Sequence, residues 1–199
     1  MDASPELTRP LPAAVGEDFH PAIALANTQE GPGQGASVDL LGTPEQTTRW
    51  MVTHGLAGDN AEVQHYCSNR LRVFRSSVLG VLDSVTSGRP PRDQDIEAIN
   101  SALVLSPMAS RLAWSADQLF HVAQEHPATR AVEHAMTLVA ADLVELLTGP
   151  DAKTLARCAD QGCGRFMLRT HARRQWCSTR CGDRVRAARA YAKKTSAGR

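Results

Sequence analysis

Residues 173–194 read RRQWCSTRCGDRVRAARAYAKK. Cys177 and Cys181 stand with three residues between them, inside a segment that carries six arginines and two lysines. A second pair, Cys158 and Cys163, lies upstream with four residues between, and thirteen residues separate the pairs. Two close pairs of this kind are what a structural zinc needs, because turns bring four thiolates into a tetrahedron around the ion. The segment otherwise offers few apolar anchors: Phe166, Leu168, Trp176 and Val185. About forty residues with so small a core do not usually fold without a staple. The expectation is one structural Zn2+ held by Cys158, Cys163, Cys177 and Cys181.

The turns around these cysteines fit that reading. Gly162 and Gly164 flank Cys163 and permit a tight knuckle. Residues 165–168, RFML, suit a strand, and Ser178 stands where it can cap a helix whose first turn contains Cys181. Knuckle, hairpin and ligand-bearing helix make a treble-clef-like arrangement. A catalytic zinc keeps an open position and draws on His, carboxylate and water. No His-Glu-x-x-His constellation occurs. His171 reads as a solvated loop residue, and Cys67, on the apolar face of a helix, as a core residue.

The net charge of +1 hides an asymmetry. Residues 157–199 hold 12 of the 22 Lys and Arg against two acids, Asp160 and Asp183, so this end carries +10 and the remainder −9. An acidic body with a strongly basic end points to a polyanion-binding appendage. Residues 1–20, MDASPELTRPLPAAVGEDFH, lack the basic start and apolar centre of a secretory signal. No apolar run reaches the eighteen or so residues of a membrane span. The expected location is cytoplasmic, where clustered cysteines are metal ligands rather than disulfides.

Hydrophobic residues make up 42% of the chain, enough for a buried core. Residues 1–16 read as a flexible leader, 17–150 as a body that senses a ligand or dimerises, and 151–199 as the zinc finger with its basic helix. The fold class expected is α+β: a mostly helical N-terminal domain with a small β-hairpin, then the finger. HPAIALANT, residues 20–28, suggests a short strand. Thr43-Pro44 with Gln46 reads as an N-cap, a first-turn proline and a capping box, with Gly55 ending the helix. Cys67, Leu71, Phe74, Val78, Leu82 and Val85 share one face of a helix over 61–86 that Gly88 and two prolines stop. A shorter helix follows over 93–103. Residues 110–125 alternate about Asp117-Gln118 as a hairpin. Val132, Met136, Val139, Leu143 and Leu146 mark a helix over 129–148 that ends at Gly149-Pro150.

The tail RCADQGCGRFMLRTHARRQWCSTRCGDRVRAARAYAKK resembles the CGNR-type zinc finger, whose pattern runs C…C…F…WCS…CGNR at the end of bacterial proteins. FHPAIALANT, DLLGTPEQTTRW and a hairpin with a Trp resemble its usual partner, the ABATE domain. The resemblance implies a stress-linked transcription regulator. The chain departs from the pattern at Asp183, which stands where the family has Asn. That puts a negative charge beside the surface expected to meet phosphates.

On a helix over 179–194, Cys181, Val185, Ala188 and Ala192 fall on the side facing the zinc. Arg186, Arg189 and Lys193 form an adjacent stripe, with Arg180 and Arg184 beside it, Lys194 at the end, and Arg173 and Arg174 in the preceding loop. Such a helix matches phosphate spacing and can offer bidentate contacts to guanine. The expected partner is double-stranded DNA. The alternatives are an acidic protein such as RNA polymerase or another transcription protein, and the chain's own acidic body. Phe19, His20, Asn27, Trp50 and Trp114 are candidates to line a small-molecule effector pocket. A homodimer would suit paired half-sites on DNA. No nucleophile–base pair or phosphate loop points to an enzyme.

Overall fold

The computed structural model describes residues 11–30, 38–106, 110–117, 119–124 and 130–197. Its elements are helix α1 (Pro21–Ala26), strands β1 (Gln29–Glu30) and β2 (Val38–Asp39), and helices α2 (Pro44–Thr53), α3 (His65–Ser87) and α4 (Asp93–Leu103). Strands β3 (Ser110–Ser115) and β4 (Leu119–Gln124) precede helix α5 (Ala131–Thr148). A 3-10 turn (Pro150–Lys153), strands β5 (Leu155–Arg157) and β6 (Phe166–Leu168) and helix α6 (Thr179–Ala197) complete the chain. Each strand pair is a separate antiparallel two-stranded sheet, so the fold is α+β and mostly helical, as expected.

The local signals for helix ends act as their chemistry dictates. Thr43 accepts from the Gln46 N–H while the Gln46 side chain accepts from the Thr43 N–H, closing the capping box ahead of Pro44. Gly88 ends α3 in the left-handed conformation, φ +66°, that costs a glycine nothing. Of the predicted α3 face, Leu71, Phe74, Val78 and Leu82 are buried, Cys67 is half-buried and Val85 is exposed at the end of the helix. Helix α5 is the centre of the body, and all five residues of its predicted face are buried. It packs on α1, α3 and α4.

The run at 20–28 forms helix α1 rather than a strand. Pro21 stands at the first helical position, where its fixed φ and missing N–H cost nothing, and Ala22 to Ala26 are all buried. A short apolar run does not by period distinguish a buried helix from a strand.

Residues 11–16 are not a flexible leader. Ala14 is buried against the cysteines, Pro12 accepts from Arg165 Nη1 at 2.8 Å, and Val15 accepts from the Leu168 N–H at 2.8 Å. Gly16 holds φ +102°, and a Cβ there would lie 2.7 Å from Leu168 Cγ. The rest of the expected leader, 1–10, lies outside the described residues.

The division expected at residue 150 is crossed by packing. Alternation in a strand sends successive side chains to opposite faces. In β6, Phe166 and Leu168 join the core of the body while Met167 joins the cluster around the cysteines. The β5–β6 hairpin is therefore a wall shared by two cores.

Candidate metal centre

The four cysteines converge. Their sulfur atoms all lie within 4.8 Å of one another, and the Cys163–Cys177 and Cys177–Cys181 separations are both 3.6 Å. A tetrahedron with Zn–S bonds of about 2.3 Å has edges of roughly 3.8 Å, so the set is spaced for that ion. All four residues are buried, which suits a closed structural site.

Backbone geometry makes the site. In the knuckle, the Cys163 N–H donates to Asp160 O at 2.8 Å, the Gly162 N–H donates to Asp160 Oδ1 at 3.1 Å, and the Cys158 N–H closes the hairpin on Arg165 O at 2.9 Å. The Ala159 N–H donates to Gln175 O at 2.8 Å and ties the knuckle to the loop before the second pair. Ser178 caps α6 by accepting from the Cys181 N–H at 3.3 Å. Gly182 lies in the next position because Trp176 packs against the helix there: a Cβ would stand 3.2 Å from Trp176 Cε3.

Crowding splits the thiols. Hydrogen bonds from Cys163, Cys177 and Cys181 hold Cys158 far below the ordinary thiol range. The same network, led by the bond to Cys158, pushes Cys163 and Cys177 well up. At Cys181 the Cys158 contact raises the value, but bonds from Cys163 and Cys177 outweigh it and bring it to about 6. Four buried thiols this close cannot ionise together unaided, and a divalent cation that deprotonates its ligands resolves the conflict. The donor set, its spacing and its burial fit one structural zinc.

A further shell orients the ligands. The Cys177 N–H donates to Cys158 Sγ at 3.4 Å, and Arg184 Nη2 donates to Cys181 Sγ at 3.5 Å. Arg184 also donates from Nε to Oδ2 of the buried Asp160 at 2.6 Å. Arg184 thus spends its guanidinium inside the finger. Arg174 donates to Cys177 O at 3.3 Å. Arg186 lies over the Trp176 ring, 5.6 Å from its centre, and pairs with Asp183 at 2.6 Å. The aspartate that departs from the family pattern is therefore an exposed partner for Arg186. Sequence reasoning missed Asp160. Its signal was there: it is one of two acids in the strongly basic 157–199 segment.

The remaining basic positions divide clearly. Helix α6 is buried at Cys181 and Gly182 and exposed at every described position from Arg186 to Ser196. At 1.5 Å per residue this is about 16 Å of helix standing clear of the body. Ala188 and Ala192, expected to face the zinc, are exposed because the small core ends at Val185. Arg173, Arg189, Lys193 and Lys194 are exposed and make no ion pair among the described residues. Arg180 is half-buried within the first turn.

The five effector-pocket candidates do not gather. Phe19 and Trp114 are exposed, and Trp50 packs in the core beside His54. His20 lies between Asp142, 2.8 Å from Nδ1, and Asp151, 3.4 Å from Nε2. Asn27 is taken up by the finger: its amide donates to Phe166 O at 2.8 Å, and its Oδ1 accepts from the Phe166 N–H at 2.7 Å. Two open grooves lie among the described residues, one lined by α2 and residues 61–63 and the other by Glu17, Asp18, Pro21, Thr53 and His54. Neither is lined by any of the five.

Charged contacts join finger and body. Arg165, buried in the finger, bonds Glu17 at 2.6 Å, and Arg157 pairs with Asp83 of α3. The opposite charges of the two ends meet through hairpin arginines, leaving the exposed part of α6 clear. No described helix is long and apolar enough to cross a membrane.

Comparison with known families gives two matches. The ABATE family, described as "Putative stress-induced transcription regulator", matches residues 20–150, more than half of the chain. The CGNR zinc finger matches residues 154–194. No curated protein matches the chain.

Proposed function

We propose that this chain, which belongs to the ABATE family and ends in a CGNR zinc finger, regulates transcription by binding double-stranded DNA through α6. The observation that carries the reading is the exposed length of α6, fixed at its base by the cysteine cluster and bearing cations that no described residue neutralises. The zinc's role is structural: it holds the helix start, the knuckle and the hairpin in one rigid piece. The body, residues 17–150, is the scaffold to which the finger is bonded. Neither family is an enzyme family.

The contact set follows from which cations are already in use. Arg184 and Arg174 support the zinc ligands, and Arg186 lies on Trp176. Arg173, Arg189, Lys193 and Lys194 are the residues left to meet phosphates and base edges. Phosphate contacts supply most of the affinity and make it salt-sensitive. The test is fluorescence anisotropy on a labelled duplex, with wild type against the triple change Arg189→Ala, Lys193→Ala, Lys194→Ala. The variant loses binding while keeping one zinc per chain. A zinc-loaded variant that binds DNA as the wild type does removes α6 as the reading surface. A wild type that binds no duplex but captures acidic transcription proteins assigns the helix to a protein partner.

A further inference from the structure

Arg186 is held in place by its neighbours without being used up by them. Its guanidinium lies over the Trp176 ring, 5.6 Å from the centre, and Nη2 donates to Asp183 Oδ1 at 2.6 Å. It folds back over Gly182, where a Cβ would stand 3.1 Å from Nη1. A ring, a carboxylate and a bare glycine thus fix one rotamer of a side chain that is still 59% exposed. A guanidinium carries five N–H groups. Asp183 takes one, and Nε and Nη1 make no hydrogen bond among the described residues. Whichever Nη2 hydrogen Asp183 takes, either the Nη1–Nη2 edge or the Nε–Nη2 edge keeps its two parallel donors.

The place of this pair on the helix decides what the open edge meets. With 3.6 residues per turn, Asp183 and Arg186 stand about 160° and about 140° round from Cys181, on the side of α6 turned away from the metal site. Lys193 and Lys194, roughly 10 Å further along the axis, share that side. Phosphate is a poor partner for Arg186, because the Asp183 carboxylate already neutralises its charge and repels a second anion. A base edge carries no net charge. In the major groove guanine presents two acceptors, O6 and N7, spaced for an arginine fork. Its paired cytosine presents an N4 donor, and Asp183 Oδ2 accepts no bond among the described residues. An arginine fixed in one rotamer beforehand loses less entropy on contact.

We propose that Arg186, held by Trp176 and Asp183, is a specificity-determining residue through which α6 reads guanine in the major groove, with Asp183 keeping it off the phosphates. The inference rests on the reading of α6 as a duplex-binding helix. It adds to the cations without an ion pair a residue that is in use and still keeps a free edge. Those cations supply the phosphate term, which is blind to sequence. The neutral Arg186–Asp183 pair supplies base preference without adding to the salt dependence.

The measurement is fluorescence anisotropy of the full zinc-loaded chain on two duplexes of one mixed sequence, one with guanine and one with 7-deazaguanine in its place throughout. The replacement removes the N7 acceptor and leaves every phosphate where it was. Wild type binds the guanine duplex about 5-fold or more tighter. Arg186→Ala, with zinc content and circular dichroism unchanged, binds both duplexes alike and keeps the wild-type salt slope. Asp183→Asn frees Arg186 for phosphate, so the slope of log affinity against log salt steepens by about 0.9 while the preference for guanine falls. A wild type that binds both duplexes equally, with salt-sensitive affinity, overturns the inference and leaves the duplex-binding reading standing. A wild type that binds neither overturns both. A guanine preference that survives in Arg186→Ala, or a slope and preference in Asp183→Asn equal to those of wild type, also overturns the inference. Should Arg186→Ala lose zinc, Arg186→Lys, which keeps the charge and lacks the fork, takes its place with the same loss of preference expected.

Discussion

Asn27→Ala tests whether finger and body fold as one unit. Arg157 and Phe166 face each other across the β5–β6 hairpin, and the ladder bond beside them runs from the Cys158 N–H to Arg165 O. This makes Arg157↔Phe166 a pair that exchanges no bonds, so the N–H and C=O of Phe166 point away from β5. The Asn27 side chain satisfies both, at 2.7 and 2.8 Å, in place of another strand. Asn27 and Phe166 are 4% and 1% exposed, so water does not replace it freely. Each buried group left without a partner costs about 1–3 kcal/mol, and some water entry offsets part of that, leaving about 3 kcal/mol. In a chain of this length such a loss lowers the melting temperature by roughly 6–12 °C. The assay heats the zinc-loaded protein, following circular dichroism and, with a chromogenic chelator, zinc release. Both traces move down together in the variant, and the surface control Asn100→Ala stays within about 0.5 kcal/mol of wild type. If zinc release stays in place while the helical signal shifts, or if neither moves, the shared-wall account is wrong.

Three further outcomes follow from other contacts. Arg184→Ala removes the donor to Cys181 Sγ and to Asp160, so zinc passes to a chelator with about 10-fold or more lower retention, whereas Arg189→Ala leaves zinc retention unchanged. Gly16→Ala forces a Cβ into Leu168 at a left-handed φ and destabilises the chain by about 1–3 kcal/mol in urea unfolding, with zinc release shifted in step. At Asp39, burial raises the carboxyl, but bonds from Arg75 and the Leu41 N–H, with the charge of Arg75, outweigh it and hold it below 3.8. A depressed carboxyl stabilises the fold above its unfolded value and loses that contribution as pH falls through the folded one. The stability gap between wild type and Asp39→Asn therefore persists from neutral pH to about 5 and closes only below 3.8.

The parts of this structure legible in the sequence are those with local causes. The capping box at Thr43 and Gln46, the glycine stop at Gly88, the hairpin about residues 115–119 and the apolar stripe of α5 all depend on neighbours within a turn or two. The cysteine cluster was legible because two close pairs carry their own geometry. What the sequence did not disclose comes from long-range pairing. Phe166 was read as an anchor of the finger, yet it fills the body core while its neighbour Met167 fills the finger. Asn27 looked like a pocket residue because nothing local shows that a strand edge 139 residues away needs its amide. Residues 11–16 looked loose because their composition is that of a leader, and only β6 and Arg165 give them partners. Arg184 sits among like residues on the helix, and only Asp160, in the knuckle, sets it apart as a support of the metal site.

The central claim, that α6 grips a polyanion from a zinc-fixed base, is tested most directly by the salt dependence of duplex binding in the zinc-loaded chain. Four cations with no ion pair among the described residues, Arg173, Arg189, Lys193 and Lys194, predict a slope of log affinity against log salt of about −4, and removing the last three predicts about −1. A wild-type slope near zero, or the same slope in both proteins, would contradict the account.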